Sequence, residues 1–401
     1  MSAFDTEVYR KQARDWLEEY APAFSKAATG ERTADEDFAL GQKWQKTKFK
    51  AGYGAITFPK EYGGSEGHVV EKLIFAEEEL RFDTPQYFNT SLGMPVPMLI
   101  RYGTEEQKRA LVTPALRGDQ LWCQLFSEPN AGSDLAALRM RARREGDSWI
   151  LSGQKLWTTW AQYADYGIVL VRHDDSLPKH KGLTMFFVDM RAPGITVRPV
   201  RPLHGQTSIN EVFFDDVRVP DIQRMGEVGA GFRVALETLM IERYTVSDVS
   251  GYGPSVRDFM QLARSVTCGG VSALENPAAR QVIVDTLVQD VGLNEIHARA
   301  LQSIAEGKEP GPEGSIRKLV VSGKRQRLAA AAMDLMGADG VAIDPAAEMN
   351  ESFQASWIRA PAGRVAGGTD EILKNTIAER VLGLPQDYRP DKGVPYRELE
   401  G

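Results

Sequence analysis

Tyr166-Gly167-Ile168-Val169-Leu170-Val171, followed by Leu183-Thr184-Met185-Phe186-Phe187-Val188, decides the fold of this chain. Each is a short run of apolar, mostly β-branched or aromatic residues bounded by turn-forming positions, a pattern of strands rather than helices. With Trp149-Ile150-Leu151 and Val212-Phe213-Phe214, they mark a β region between roughly residues 120 and 222. The flanks read differently. Before it, Val8 to Tyr20, Asp35 to Phe49, Val69 to Leu80 and Glu105 to Val112 carry apolar residues at three-to-four spacing between Gly and Pro breaks. After Pro220, long periodic segments return at Phe232 to about Arg264, Ala278 to Ile304, Ser315 to Met336 and Glu371 to Leu382. The expected architecture is α+β: an N-terminal helical domain over 1–119, a middle antiparallel β domain over 120–222 and a C-terminal helical bundle over 223–401.

Composition narrows the function. With 401 residues and 42% hydrophobic content, the chain can bury a large core. A net charge of -7, with Lys and Arg dispersed, argues against a nucleic-acid partner. Cys123 and Cys268 stand far apart with no His at ligand spacing, so neither zinc nor a disulfide framework is expected. His68, His173, His180, His204 and His297 are scattered, and no metal site is expected among them. The segment from Met1 to Asp5 runs directly into an amphipathic pattern, and no stretch reaches the roughly 20 apolar residues of a membrane span. A cytoplasmic protein without a membrane partner is expected. No GxGxxG or Walker loop follows a strand, which removes support for nicotinamide and nucleoside-triphosphate chemistry.

Four segments are candidates for chemistry. On a helix beginning at Phe232, Ala235, Leu239, Glu242, Val246 and Val249 form one stripe, so Glu242 interrupts an apolar face. Desolvation there would raise its pKa and suit it to act as a base on a weak carbon acid, whereas an ion pair with Arg243 is the structural alternative. Phe126-Ser127-Glu128-Pro129-Asn130-Ala131-Gly132-Ser133-Asp134 offers hydroxyl and backbone donors around a bend, and alone it reads as an ordinary loop. In Gly153 to Trp160, Trp157 and Thr159 share a strand face, placing an aromatic plane beside a hydroxyl, although core packing is the default for Trp157. Gly367-Gly368-Thr369-Asp370-Glu371-Ile372 turns into a helix with Thr369 as N-cap and Ile372, Ile377 and Val381 inward, either a simple cap or an anion site. Met94 and Met98 read as core or as the lining of an acyl pocket.

Taken in order, these motifs resemble the acyl-CoA dehydrogenase family from about Tyr9 to Pro385. Phe58-Pro59-Lys60-Glu61-Tyr62-Gly63-Gly64, Tyr102 to Lys108, Ser127 to Asp134, Asn210 to Pro220 and Gly368 to Leu384 carry the likeness. The resemblance implies FAD, held by Phe126, Ser127 and Ser133, with Trp157 and Thr159 flanking the isoalloxazine. It further implies that Thr369 and Glu371 contact the cofactor from the C-terminal turn, and that Gly337 to Gly340 receives the cofactor of a neighbouring subunit. The implied reaction is α,β-dehydrogenation of an acyl-CoA to a trans-2-enoyl-CoA, in fatty acid or steroid side-chain catabolism, with electrons passed to an electron-transfer flavoprotein.

Two departures shape the expectation. Many members carry the catalytic Glu immediately before the Gly-Thr of the C-terminal motif, where this chain has Gly367. The isovaleryl and long-chain branch carries it on the helix that contributes Glu242 here, followed by Arg, as in Glu242-Arg243. The resemblance therefore assigns the base to Glu242 and a substrate contact to Arg243. Arg264-Ser265-Val266-Thr267-Cys268 lacks the Phe of the Arg-x-x-Phe-Gly segment that reaches a neighbour's cofactor. Besides a homotetrameric dehydrogenase, two alternatives stand: a non-catalytic subunit of a mixed tetramer, and a flavin monooxygenase or oxidase on the same fold.

Overall fold

A computed structural model describes residues 5–30, 32–205, 208–245, 253–305, 311, 314–342 and 348–399. Within these, the side chains of 26, 27, 241–245, 268, 301, 304, 305 and 348–351 lie outside the description. The chain divides into two compact units, one of Met1–Pro202, Gln206–Val246 and Asp387–Gly401, the other of Leu203–Gly205 and Ser247–Gln386.

The first unit begins with helices α1 (Thr6–Tyr20), α2 (Lys26–Thr29), α3 (Ala34–Lys50), α4 (Val69–Glu79), α5 (Phe88–Gly93), α6 (Pro95–Tyr102) and α7 (Glu105–Arg117). Their starts are written in the sequence. Thr33 with Glu36 and Thr104 with Gln107 form capping boxes, and Asp5 accepts from the amides of Glu7 and Val8. The pair α5 and α6 was not legible as helix because Pro95 and Pro97 interrupt the pattern, yet both prolines sit in the first turn of α6, where no intrahelical N–H is needed.

Eight strands follow: β1 (Trp122–Leu125), β2 (Arg141–Glu145), β3 (Ser148–Thr159), β4 (Tyr166–Arg172), β5 (Leu183–Asp189), β6 (Ile195–Val200), β7 (Ile209–Pro220) and β8 (Arg224–Met225). They form one sheet in the order β6-β7-β3-β2-β4-β5-β8, with β1 beside β4. The sheet is mixed where an antiparallel one was expected. The β1–β4 pair is parallel, as is the single β2–β4 contact at Arg141 and Arg172, while the remaining ladders are antiparallel. A long connection separates β1 from β4, which is what a parallel pairing requires.

The quoted runs are continuous rather than alternating because both faces of β4 and β5 are buried. Ile168, Leu170, Met185 and Phe187 face one core, shared with Met98, Leu99, Leu116 and Trp122. Val169, Val171, Phe186 and Val188 face the other, with Leu151, Val212, Phe214 and Val217. Met94 and Met98 are themselves buried, at 4% and 1% exposure. Helix α8 (Gly231–Thr245) closes the unit and contributes Val234 and Ala235 to the first core. A side chain on Gly231 would stand 2.6 Å from the backbone of Thr184, so only glycine permits this approach of α8 to β5.

The second unit holds α9 (Val256–Ser265), a short hairpin of β9 (Thr267–Cys268) and β10 (Val271–Ser272), α10 (Pro277–Ala305), α11 (Gly314–Met336), α12 (Glu348–Gly363) and α13 (Asp370–Thr376). Its core joins Phe259, Leu262, Ile283, Leu328, Ala332 and Phe353. The periodic segment from Phe232 to Arg264 is two helices, not one. Pro254 precedes a fresh capping box in which Ser255 Oγ accepts from Asp258 N at 3.3 Å and Asp258 returns a bond from Ser255 N. In α13 the inward residue is Leu373, fully buried, whereas Ile372 and Ile377, expected inward, are half-buried and Val381 is 37% exposed. A π turn over Ile377–Val381 shifts the helical phase there.

Candidate active site

The loop from Ser127 to Asp134 is fixed from beneath by a buried ion pair. Glu128 accepts from the backbone amides of Arg139 at 2.6 Å and Met140 at 3.0 Å, and from Lys155 Nζ at 2.8 Å. Lys155 is wholly buried and also donates to the carbonyl of Phe126 at 3.1 Å. Burial pushes the Lys155 ammonium below its ordinary pKa, with Glu128 acting in the opposite direction. A paired Glu128–Ala131 bridge closes the bend at Pro129-Asn130. Leu156 N donates to Ser127 O at 2.8 Å, which sets the loop against the end of β3. Phe126 is buried, Ser127 half-buried and Ser133 exposed.

The end of β3 departs from regular strand. The β3–β7 register slips between Lys155 and Thr158, so an additional residue bulges from β3. Within that bulge Trp157 has φ +63° and is 56% exposed, and Trp160 follows at φ +57°. A left-handed tryptophan costs about 1–2 kcal/mol, and a large exposed aromatic gains little packing in return. Thr158 turns into the protein at 1% exposure, leaving Trp157 and Thr159 on the accessible side. Trp157 is thus outward rather than in the core, and Thr159 is half-buried.

Glu242 and Arg243 fall among side chains outside the description, as do Val246 and Val249 entirely. Their backbone position is defined. Helix α8 runs through Thr245, and position 242 lies one turn beyond Thr238 and two beyond Ala235, both fully buried. Leu239 packs on the first core. Tyr102 donates to Glu237 at 2.6 Å, anchoring the middle of α8 to the end of α6.

In the second unit, Thr369 caps α13, its hydroxyl accepting from Ile372 N at 3.3 Å. Gly368 carbonyl accepts from Lys318, and Arg364 holds the buried carboxylate of Asp370. Glu371 is exposed in the first turn, and Gly337 opens a 3-10 turn over Gly337–Gly340, also exposed. Gly367 has φ +66°, so a side-chain-bearing residue at that position would carry a left-handed penalty.

Sequence reasoning did not single out the C-terminal strap. Residues 387–399 return to the first unit, where Tyr396 donates to Ala137 O at 2.8 Å and its ring lies 3.4 Å from the Arg172 guanidinium. Arg172 donates to Ala136 O at 2.5 Å and Leu138 O at 3.0 Å. Lys179 bridges Asp134 at 2.6 Å and Asp391 at 2.5 Å.

Comparison with known proteins gives the family. The acyl-CoA dehydrogenase N-terminal, middle and C-terminal domains match residues 5–119, 123–217 and 229–382. The chain is 33% identical over 397 residues to acyl-CoA dehydrogenase IpdE1 of Mycobacterium tuberculosis, covering 96% of this chain and 99% of that protein. Among solved structures, the Tcur3481-Tcur3483 steroid ACAD superposes with a TM-score of 0.80 at 25% identity, over 96% of this chain and 99% of that one. The ChsE4-ChsE5 complex from Mycobacterium tuberculosis gives the same values. No helix among the described residues is long and apolar enough to cross a membrane. The chain belongs to the acyl-CoA dehydrogenase family, oxidoreductases acting on CH–CH donors.

Proposed function

We propose that this chain desaturates an acyl-CoA thioester between its α and β carbons, with Glu242 as the base and FAD as the cofactor. The observation that carries this reading is Trp157, an exposed indole held in left-handed backbone beside the Ser127 loop. Such a cost is met where a planar ligand supplies the missing packing. The hydroxyls of Ser127, Ser133 and Thr159 and the accessible face of Trp157 fit a flavin by the chemistry of their donors. Thr369, Glu371 and Gly337 are proposed as further cofactor contacts. The chemistry FAD would supply when bound is acceptance of the hydride that leaves the substrate's β carbon.

The chain's own residues perform the rest. Glu242 removes the proton on the carbon next to the thioester carbonyl, on a helix that buries Thr238 and Ala235 one and two turns before it. Arg243 is proposed as a substrate contact. The Glu128–Lys155 pair and the Tyr396 strap hold the loop that bears Ser127 and Ser133. The product is a trans-2-enoyl-CoA. We propose a bulky, steroid-type acyl group, which the steroid ACAD likeness supports, an electron-transfer flavoprotein as acceptor, a tetramer as the assembly and a cytoplasmic location. The three-part division at 119 and 222 is proposed as the functional one. The second reading, a subunit that works only in a mixed tetramer, is favoured by Gly367 and by the two-component names of the similar structures.

The test is anaerobic bleaching of the purified flavoprotein by a panel of acyl-CoAs, beside Glu242→Gln prepared identically. Bleaching of the parent, with a variant that retains flavin but bleaches about 100- to 10,000-fold more slowly, is expected. Equal rates would remove Glu242 from the reaction. A flavin-free, inert parent points to the mixed tetramer.

A further inference from the structure

We propose that Asn210 is a positioning residue that locks Trp157 in its outward, left-handed conformation. This rests on the reading of Trp157 and Thr159 as flavin contacts. Asn210 stands opposite Thr158 where the β3 bulge ends, and both are buried, at 0% and 1% exposure. Its amide Nδ2 donates to Thr158 O at 3.0 Å and to Gln162 Oε1 at 2.5 Å. One side chain thus ties the residue after Trp157 to the turn that follows Trp160, with left-handed Trp157 just before the tied segment and left-handed Trp160 within it. Trp160 N donates to Ser208 O at 2.8 Å, fixing the far side of the same segment to the run leading into β7.

The ladder pairs Thr158 with Asn210, and the side-chain amide adds a donor to the Thr158 carbonyl where the bulge ends. Asp at 210 would set a second acceptor against that carbonyl, and Leu would remove the side-chain donor. The arrangement also leaves Asn210 Oδ1 and Thr158 Oγ1 without partners among the described residues. Buried polar atoms left in this state are uncommon, and the amide has been committed to the bulge at the expense of its own acceptor.

The discriminating experiment is hydrogen exchange of the 156–160 segment in four proteins: parent, Asn210→Asp, Trp157→Gly and the double variant. Glycine adopts the left-handed conformation without penalty, so it needs no lock. Asn210→Asp should cost the segment about tenfold in protection, the size of one lost hydrogen bond, and weaken FAD binding by a similar factor. On the Trp157→Gly background the same change should cost much less protection, while the β4 and β5 segments stay unchanged in all four. An equal loss on both backgrounds makes Asn210 a general structural residue and overturns the proposal, as does no loss on either. Where Asn210→Asp does not fold, Gln162→Leu removes one of the two anchors and should give the same pattern at smaller amplitude. If the parent alone binds no FAD, the mixed-tetramer reading is favoured, and the exchange comparison still decides the role of Asn210.

Discussion

Replacing Lys155 by Met tests the foundation of the candidate site. Lys155 has no exposed surface, and its ammonium lies 2.8 Å from Glu128 and 3.1 Å from the Phe126 carbonyl. Methionine matches the stem in volume, so packing is largely retained, and the loss falls on the charge. Glu128 would keep its two backbone donors, Arg139 N and Met140 N, but remain a buried anion without a counterion. Breaking one side of a buried pair costs about 3–5 kcal/mol. At about 2–4 °C per kcal/mol for a unit of this size, the apparent Tm should fall by about 6–20 °C. Adding Glu128→Gln removes the stranded charge, so the double variant should be more stable than Lys155→Met alone. Thermal unfolding followed by circular dichroism measures all three. A single variant within about 1 kcal/mol of the parent, or a double variant whose loss equals the two singles combined, would refute the argument that the pair holds this loop.

Two further outcomes follow from the same unit. Glu78 is nearly buried among Arg14, Arg10 and Arg81, whose guanidiniums, Arg14 foremost, hold its carboxyl down at about 2. Because the folded value lies below the unfolded one of about 4.3, the stabilisation is complete above about 4.3 and disappears as pH falls through about 2. Glu78→Gln should therefore lower stability at neutral pH and flatten the acid limb of a stability-versus-pH curve. Tyr396→Ala removes the ring from Arg172 and the bond to Ala137, together about 1–3 kcal/mol. Deletion after Gln386 also frees Lys179 from Asp391 and should lower the apparent Tm further, and an unchanged melting curve for both variants would remove the strap from the stability of the first unit.

Local chemistry determined much of this protein directly from its sequence. Capping signals at Thr33, Thr104 and Thr369 act over three residues, and the strand runs at 166–171 and 183–188 are set by side-chain type, so both were readable without neighbours. The motif order likewise carried the family. Whatever depended on partners distant in the chain was not readable. The phase of β3 aims Lys155 inward, but its ion pair exists only because the Glu128 loop folds beneath it. Trp157 read as core by default and is exposed because a register slip against β7, held by Asn210, turns it outward. The parallel β1–β4 pairing and the return of Tyr396 to Arg172 join segments more than 40 and 200 residues apart. Periodicity reports which face of an element is buried, and only the tertiary structure decides what that face meets.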